Sequence, residues 1–168
     1  LDTQATVVSR RSLGGGINAT EIVELSNGAK AGWKPSAGEY MTKLRDNLEE
    51  DHQARREAAA YLIDKALGHL AGAPPTVLRS LEGKQGALML FVEGTPGVDT
   101  ARFGLTPTRA DEATTAVFDE VLGNTDRHRG NYLIAKSGAL VPIDHGLILP
   151  LKNGEQGFLN ADFARNAP

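Results

Sequence analysis

Three oxygen-bearing side chains follow one another at a spacing that suits phosphoryl transfer, between Asn124 and Gly146. Asn131 comes five residues after Asp126, and Asp144 comes after two apolar runs that predict a short β-hairpin. Transfer of a phosphoryl group needs a carboxylate that orients the attacking hydroxyl, together with oxygen ligands that hold Mg²⁺ on the phosphates. The pattern therefore predicts that Asp126 orients or deprotonates the acceptor, and that Asn131 and Asp144 are the Mg²⁺ ligands.

The motifs NTDRHRGN and PIDHG resemble those of the phosphatidylinositol 3-/4-kinase-like branch of the protein-kinase-like superfamily. In that branch the catalytic loop reads D-R-H-x-x-N, and the metal-binding aspartate lies in I-D-x-G. The branch includes lipid kinases, large protein kinases and small bacterial relatives, and this chain resembles the small bacterial type. The resemblance implies ATP and Mg²⁺ as cofactors. It also places His128 near the transferred phosphate, as a base or as a stabiliser of charge; the alternative is a histidine that holds the loop backbone by hydrogen bonds. Arg127 is expected to brace the loop or to neutralise charge.

Alternating and apolar runs ahead of these motifs predict five strands and one long helix. The strands are predicted at 6–9, 21–25, 29–34, 76–81 and 87–92, and the helix at 53–70. The sequence Ser26-Asn27-Gly28 is a strong hairpin signal between the second and third strands. The inward stripe of the helix is predicted at Ala58, Tyr61, Leu62, Lys65 and Ala66.

The second half of the chain predicts a connection, a helix and the catalytic hairpin. The segment 94–107 is rich in Gly and Pro and is the candidate hinge between two lobes. A helix is predicted at 109–122, ending at Gly123, with Val117, Val121 and Leu122 facing inward. A further short helix is predicted at 158–165.

This order of elements predicts an α+β fold, a minimal bilobal protein-kinase-like domain spanning residues 1–168. Residues 1–93 are expected to form an N-lobe, a five-stranded antiparallel sheet with one helix, and residues 94–168 a reduced C-lobe.

Glycines and two polar residues near the first strands are candidates for holding phosphates. Backbone N–H groups of glycines can approach phosphates closely, and hydroxyl and amide side chains add donors. These candidates are Gly14, Gly15, Gly16, Asn18 and Thr20. No P-loop sequence is present, so that class of nucleotide-binding protein is disfavoured.

A lysine at the end of the third strand is the candidate for contacting the α- and β-phosphates. Lys34 has this place, with Glu57 of the following helix as its expected partner and Lys30 as the less favoured alternative. The segment after the fifth strand, Phe91, Val92 and Glu93, is expected to contact the adenine through its backbone groups.

Composition removes several functional classes. A net charge of −3 and a pI near 5.8 argue against a nucleic-acid-binding surface. The chain has no cysteine, which excludes disulfides and thiolate catalysis, and no apolar run is long enough for a transmembrane segment. We expect a cytoplasmic protein, or a secreted effector acting in the cytosol of a target cell.

The acceptor is the least determined part of the sequence-based prediction. Lipid kinases of the branch use a basic activation loop, whereas LILPLKNGEQG offers one lysine. We therefore favour a protein hydroxyl as acceptor, in a Ser/Thr kinase of the bacterial effector or toxin kind. A phosphoinositide or small-molecule acceptor is the alternative, and a nucleotide-binding pseudokinase or an AMP-transferring enzyme is a further one.

Overall fold

The computed structural model describes residues 4–14, 20–37, 52–124 and 126–150. Five antiparallel strands form the first sheet, in the spatial order β1-β2-β3-β5-β4, with helix α1 preceding β4 in the chain. The bounds are β1 Val7–Ser12, β2 Glu21–Leu25, β3 Lys30–Pro35, α1 Gln53–Ala66, β4 Thr76–Leu81 and β5 Lys84–Leu90. The predicted α+β fold, with one helix inserted before the fourth strand of an antiparallel sheet, is confirmed.

A smaller sheet and a second helix follow. The sheet has the order β6-β7-β8, with β6 Gly94–Pro96, β7 Tyr132–Ala135 and β8 Leu140–Pro142, and helix α2 covers Arg109–Leu122. The predicted hinge segment 94–107 thus begins as a strand and continues into a 3-10 turn at Thr100–Phe103. Neither helix among the described residues is both long and apolar enough to cross a bilayer. The division into lobes near residue 93 stays a prediction, and the predicted helix at 158–165 lies outside the described residues.

The first sheet has two chemically different faces, because successive side chains of a strand point in opposite directions. One face carries the apolar cluster of the sheet, formed by Ala5, Val23, Leu25, Ala31, Trp33, Leu81 and Leu88. The residues that alternate with Ala31 and Trp33 on β3 are Lys30, Gly32 and Lys34, which therefore share the opposite face. The lysines are thus presented on the side of the sheet away from its apolar cluster.

Helix α1 packs with a face that the hydrophobic pattern did not predict. It buries Ala54, Ala58 and Ala60 together with the charged residues Glu57 and Asp64. Of the predicted stripe only Ala58 is buried; Leu62 is 59% exposed, and Lys65 and Ala66 are exposed as well. The helix also ends at Ala66, four residues early, because Gly68 and His69 adopt left-handed backbone conformations that stop it.

Helix α2 has the predicted bounds. Its Thr108 side chain accepts a hydrogen bond from Asp111 N at 3.1 Å, and Gly123 ends it in a left-handed conformation. Of the three residues predicted to face inward, Leu122 is buried, whereas Val117 and Val121 are 57% and 60% exposed. Phe118, which was not predicted, is buried in their place.

Two strand glycines differ in what a side chain would meet. A Cβ at Gly86 on β5 would lie 2.3 Å from Lys34 O and 2.6 Å from the Trp33 ring, whereas one at Gly32 would meet only Met89, at 3.8 Å. We expect Gly86→Ala to lower the free energy of unfolding by about 1–3 kcal/mol, because β3 must move to make room. The matched Gly32→Ala should change it by less than about 1 kcal/mol. Urea denaturation of both variants checks this, and equal midpoints would contradict it.

Candidate active site

Lys34 joins three separate elements through its ammonium group. Its Nζ lies 2.5 Å from Glu57 Oε1 on α1 and 2.9 Å from Asp144 Oδ1, just beyond β8. The second oxygen of Glu57 accepts a hydrogen bond from His145 N at 3.0 Å. The structure therefore brings together the predicted phosphate-binding lysine, its predicted glutamate partner and the predicted metal-binding aspartate. Their functional roles stay predictions.

In this triad (Lys34, Glu57 and Asp144) the ammonium stabilises both carboxylates, although burial, and then the charge of Asp144, still raise the pKa of Glu57 above its ordinary value. Burial disfavours the charge of Lys34, yet the Glu57 and Asp144 carboxylates outweigh it and hold the pKa of Lys34 above its ordinary value. For Asp144, the desolvation that would raise its pKa is exceeded by the nearby Lys34 ammonium, so the pKa is lowered. Lys34 is therefore a cation at neutral pH, and Asp144 is a carboxylate ready to bind a metal.

Asp144 has an uncommon backbone conformation, with φ of 60°. Few side chains adopt this left-handed region, and Asp and Asn are among those that do. The side chain is half exposed, so one part contacts Lys34 while the rest faces the open side of the site.

The catalytic loop holds Asp126 and Asn131 against each other. Asn131 Nδ2 donates to the Asp126 backbone O at 2.7 Å and to Asp126 Oδ2 at 3.3 Å. Because the amide nitrogen is engaged in this way, Oδ1 is the Asn131 atom that suits a metal. Ile143 N donates to Asn131 O at 3.0 Å, which places the segment carrying Asp144 beside Asn131.

These two oxygen donors fit Mg²⁺, which prefers hard oxygen ligands and keeps several positions for water and phosphate. In the described part of the chain no three His, Asp or Glu side chains cluster as a metal cage. An Mg²⁺ ion held by these two oxygens would have positions left for water and phosphate oxygens.

His128 has one ring nitrogen occupied within the loop. Its Nδ1 accepts a hydrogen bond from Gly130 N at 3.0 Å, while the side chain is exposed. A nitrogen that accepts cannot carry the proton, so the neutral ring bears its hydrogen on Nε2. In this tautomer Nε2 is a donor, and it favours the charge-stabilising role over the role of base.

Arg127 is buried behind the loop. Its Nε and Nη2 donate to the two carboxylate oxygens of Asp119, each at 2.9 Å, and its Nη1 donates to the backbone oxygens of Asn131 and Ile143. The predicted bracing role of Arg127 agrees with these contacts. Sequence reasoning missed Asp119, whose position on α2 resembles that of any polar helix residue.

Two of the predicted phosphate-binding residues are described: Gly14 lies shortly after β1, and Thr20 directly precedes β2. Leu13 N donates to Thr20 O at 3.0 Å, and Gly14 has φ of 64°, which glycine adopts without strain. Three of the candidates, Gly15, Gly16 and Asn18, lie outside the described residues.

A cleft of about 380 Å³ opens on the same sheet face as Lys34. It is lined by Ser9, Arg10, Arg11, Ile22, Glu24, Lys30, Phe91 and Glu93. Lys30 lies here, four residues before Lys34 on β3, which is about 13 Å along an extended strand. A ligand that contacts both the cleft and the triad would therefore have to lie extended along β3.

Phe91 and Glu93 of the predicted adenine-binding segment line this cleft. Phe91 N donates to Lys30 O at 3.0 Å, so this N–H group is engaged within the protein. Adenine binding by Phe91, Val92 and Glu93 stays a prediction. The Glu93 side chain pairs with Lys136. Sequence reasoning missed Ile22 and Glu24, although the Ser26-Asn27-Gly28 turn sets the pairing of β2 with β3 and could have placed them opposite Gly32 and Lys30.

Comparison with known families gives a match that includes the catalytic loop and Asp144. The model of the family described as phosphatidylinositol 3- and 4-kinase matches residues 54–165, more than half of the chain. The chain belongs to this family. The resemblance inferred from the D-R-H-x-x-N and I-D-x-G motifs is thereby confirmed. The match begins within α1, so Glu57 lies inside it and Lys34 lies outside.

Individual family members cover a similar part of the chain. The alignment with phosphatidylinositol 4-kinase gamma 4 of Oryza sativa subsp. japonica is 33% identical over 117 residues, and it covers 59% of this chain and 20% of that protein. The alignment with phosphatidylinositol 4-kinase gamma 2 of Arabidopsis thaliana is 31% identical over 128 residues, and it covers 58% of this chain and 23% of that protein. The chain thus spans about a fifth of the length of these relatives.

Removing the cation of the triad should destabilise the fold. Lys34→Met leaves the buried Glu57 carboxylate unpaired, so we expect the free energy of unfolding to fall by about 3–5 kcal/mol. The double variant Lys34→Met/Glu57→Gln should recover part of the loss, because it removes both charges. Lys30→Met, on the same sheet face, serves as control and should change the value by about 0.5 kcal/mol. Urea denaturation measures all three, and equal losses for both lysine variants would contradict the assignment.

His145 should make stability depend on pH in Mg²⁺-free buffer. Burial, and then the charges of Arg127 and Lys34, hold the pKa of His145 well below its ordinary value. In the unfolded chain it titrates near pH 6.5, so below that pH only the unfolded state takes up the proton. We expect the free energy of unfolding to fall with decreasing pH, with a slope approaching about 1.4 kcal/mol per pH unit.

The variant His145→Phe keeps the backbone N–H that donates to Glu57 and the ring that contacts Phe118, but it cannot titrate. The difference in unfolding free energy between wild type and this variant should therefore change between about pH 6.5 and pH 5. Parallel curves across this range would refute the explanation.

Proposed function

We propose that this chain is the nucleotide-binding and catalytic part of an ATP- and Mg²⁺-dependent kinase that phosphorylates a phosphoinositide hydroxyl. The observation that carries the phosphotransferase assignment is the convergence of Lys34, Glu57 and Asp144 beside the loop that holds Asp126 and Asn131. A lysine held by a helix glutamate, next to two oxygen ligands for a metal, is the arrangement that phosphoryl transfer from a nucleotide needs.

The nucleotide would occupy the face of the sheet that carries the cleft and Lys34. Its base would lie near Phe91 and Ile22 in the cleft, and its phosphates would reach Lys34, whose ammonium neutralises their charge. Mg²⁺ would be held by Asn131 and Asp144, and it would offset the charge that develops on the transferred phosphate. Glu57 keeps the lysine in place on the other side.

The acceptor side of the site has a base and a hydrogen-bond donor. Asp126 takes the proton of the acceptor hydroxyl. At the same time the hydroxyl oxygen forms a bond to the γ-phosphorus, and the bond between that phosphorus and the leaving ADP oxygen breaks. Asn131 Nδ2 restrains Asp126 for this role. His128, with its hydrogen on Nε2, donates to the phosphoryl oxygens as charge builds up.

The relatives favour a lipid acceptor over the protein hydroxyl that the sequence favoured. Both are named phosphatidylinositol 4-kinases, and the phosphoinositide reading is the one we adopt. The sparse basic charge of LILPLKNGEQG, which favoured a protein, lies largely outside the described residues. The effector role, the location and the AMP-transfer alternative stay predictions from the sequence.

Labelled ATP tests this proposal directly. The chain is incubated with γ-labelled ATP, Mg²⁺ and either vesicles containing phosphatidylinositol or a mixture of protein acceptors. We expect label in the lipid, reduced at least about 100-fold in Asp144→Asn, which keeps the backbone conformation but loses a metal-binding carboxylate. Label confined to protein would replace the lipid assignment, and label transferred only from α-labelled ATP would replace the kinase assignment.

Two substitutions at His128 separate its possible roles. His128→Gln keeps an N–H donor near the ring position, whereas His128→Ala removes it. If His128 donates to the phosphate, the glutamine variant should retain at least about tenfold more kcat than the alanine variant, while Asp126→Asn loses about 100-fold or more. Equal losses in the two His128 variants, with Asp126→Asn still active, would make His128 the base.

A further inference from the structure

The carboxylate of Asp119 lies outside the D-R-H-x-x-N motif and is buried on α2. Both of its oxygens accept from Arg127, and Oδ1 also accepts from Asn124 Nδ2 at 2.8 Å. Asn124 in turn accepts from Asp126 N at 3.1 Å through its Oδ1. Asp119 therefore contacts the catalytic loop at both Asn124 and Arg127 without facing the site itself.

The guanidinium that Asp119 holds bridges the two metal-binding segments. A single nitrogen, Arg127 Nη1, donates both to the backbone oxygen of Asn131 and, at 2.6 Å, to that of Ile143, the residue before Asp144. In addition to the direct bond from Ile143 N to Asn131 O, the spacing of the Asn131 and Asp144 ligands therefore depends on the position of this nitrogen. Its place is fixed by the planar fork that Arg127 forms with Asp119.

We propose that Asp119 is a positioning residue for the metal, which adjusts the spacing of Asn131 and Asp144 by holding Arg127. The inference rests on the proposed function. Residues that orient metal ligands from outside commonly change metal affinity by 10–100-fold when they are replaced. An asparagine at position 119 would present an N–H₂ group to one of the guanidinium nitrogens, so the fork could not form and Nη1 would shift.

A second buried carboxylate in the chain provides a matched control. Asp64 on α1 is fully buried and accepts two hydrogen bonds, from Ala71 N at 2.8 Å and Ala73 N at 2.9 Å. It holds the turn after α1 and has no contact with the metal-binding segments among the bonds described. Asp64→Asn therefore changes a buried carboxylate of the same kind near the C-terminal end of α1, where its described bonds go to the following turn and not to the metal-binding segments.

The test measures metal binding rather than activity. Mn²⁺ is titrated, with detection by electron paramagnetic resonance, into wild type, Asp119→Asn and Asp64→Asn, each with a non-hydrolysable ATP analogue. We expect Asp119→Asn to weaken Mn²⁺ binding at least about tenfold, and Asp64→Asn to leave it within about twofold of wild type. Unfolding midpoints recorded alongside show how far each variant is destabilised. Asp119→Glu keeps the carboxylate but displaces it, so it should also weaken Mn²⁺ binding. It replaces Asp119→Asn in this test if the asparagine variant does not fold.

The outcomes separate this inference from the function on which it rests. Wild-type Mn²⁺ affinity in the folded Asp119 variants, or equal weakening by Asp64→Asn, would overturn the positioning role and leave the kinase assignment intact. Absence of Mn²⁺ and nucleotide binding by the wild type would overturn both.

Discussion

The buried carboxylate of Glu57 is the constraint around which the site is organised. A carboxylate with 4% exposure is costly unless a cation and hydrogen-bond donors compensate it, and Lys34 together with His145 N supply that compensation. Helix α1 otherwise contacts the core mainly through alanines, which offer little area. The ion pair thus links this helix directly to β3.

Asp144 is held from both sides by this pair and by the second buried cation. Arg127 binds the carbonyl of Ile143, and Glu57 binds the amide of His145, so the residues on either side of Asp144 are both fixed. One fixed point depends on α2 through Asp119, and the other depends on α1. The position of the Asp144 carboxylate therefore depends on both helices. Lys34 contacts the carboxylate itself, whereas Arg127 binds the backbone next to it.

Much of this could be predicted from the sequence, because turn chemistry and motif spacing are local signals. The bounds of β2, β4 and α2 and the Ser26-Asn27-Gly28 turn were predicted correctly. The faces by which the helices contact the core were not predicted correctly. Hydrophobic periodicity cannot foresee that α1 buries an ion pair and small residues, or that Phe118 rather than Val117 faces the core.

The roles of polar residues away from the motifs were equally hidden. Asp119 and Glu24 are polar residues in a helix and a strand, with no local sequence signal. The contact of Asp119 with Arg127 and the place of Glu24 in the cleft appear only in the folded structure. Lys34 and Glu57, by contrast, were found because family motifs fix their relation to strand and helix before any contact is known.

The left-handed backbone at Asp144 explains a choice of amino acid that metal chemistry alone would leave open. Glutamate is as good an oxygen ligand as aspartate, but aspartate is one of the residues enriched in this backbone region. Asparagine and glycine suit the backbone but lack the carboxylate. Aspartate thus combines a preference for this backbone with the carboxylate that the proposed metal site uses.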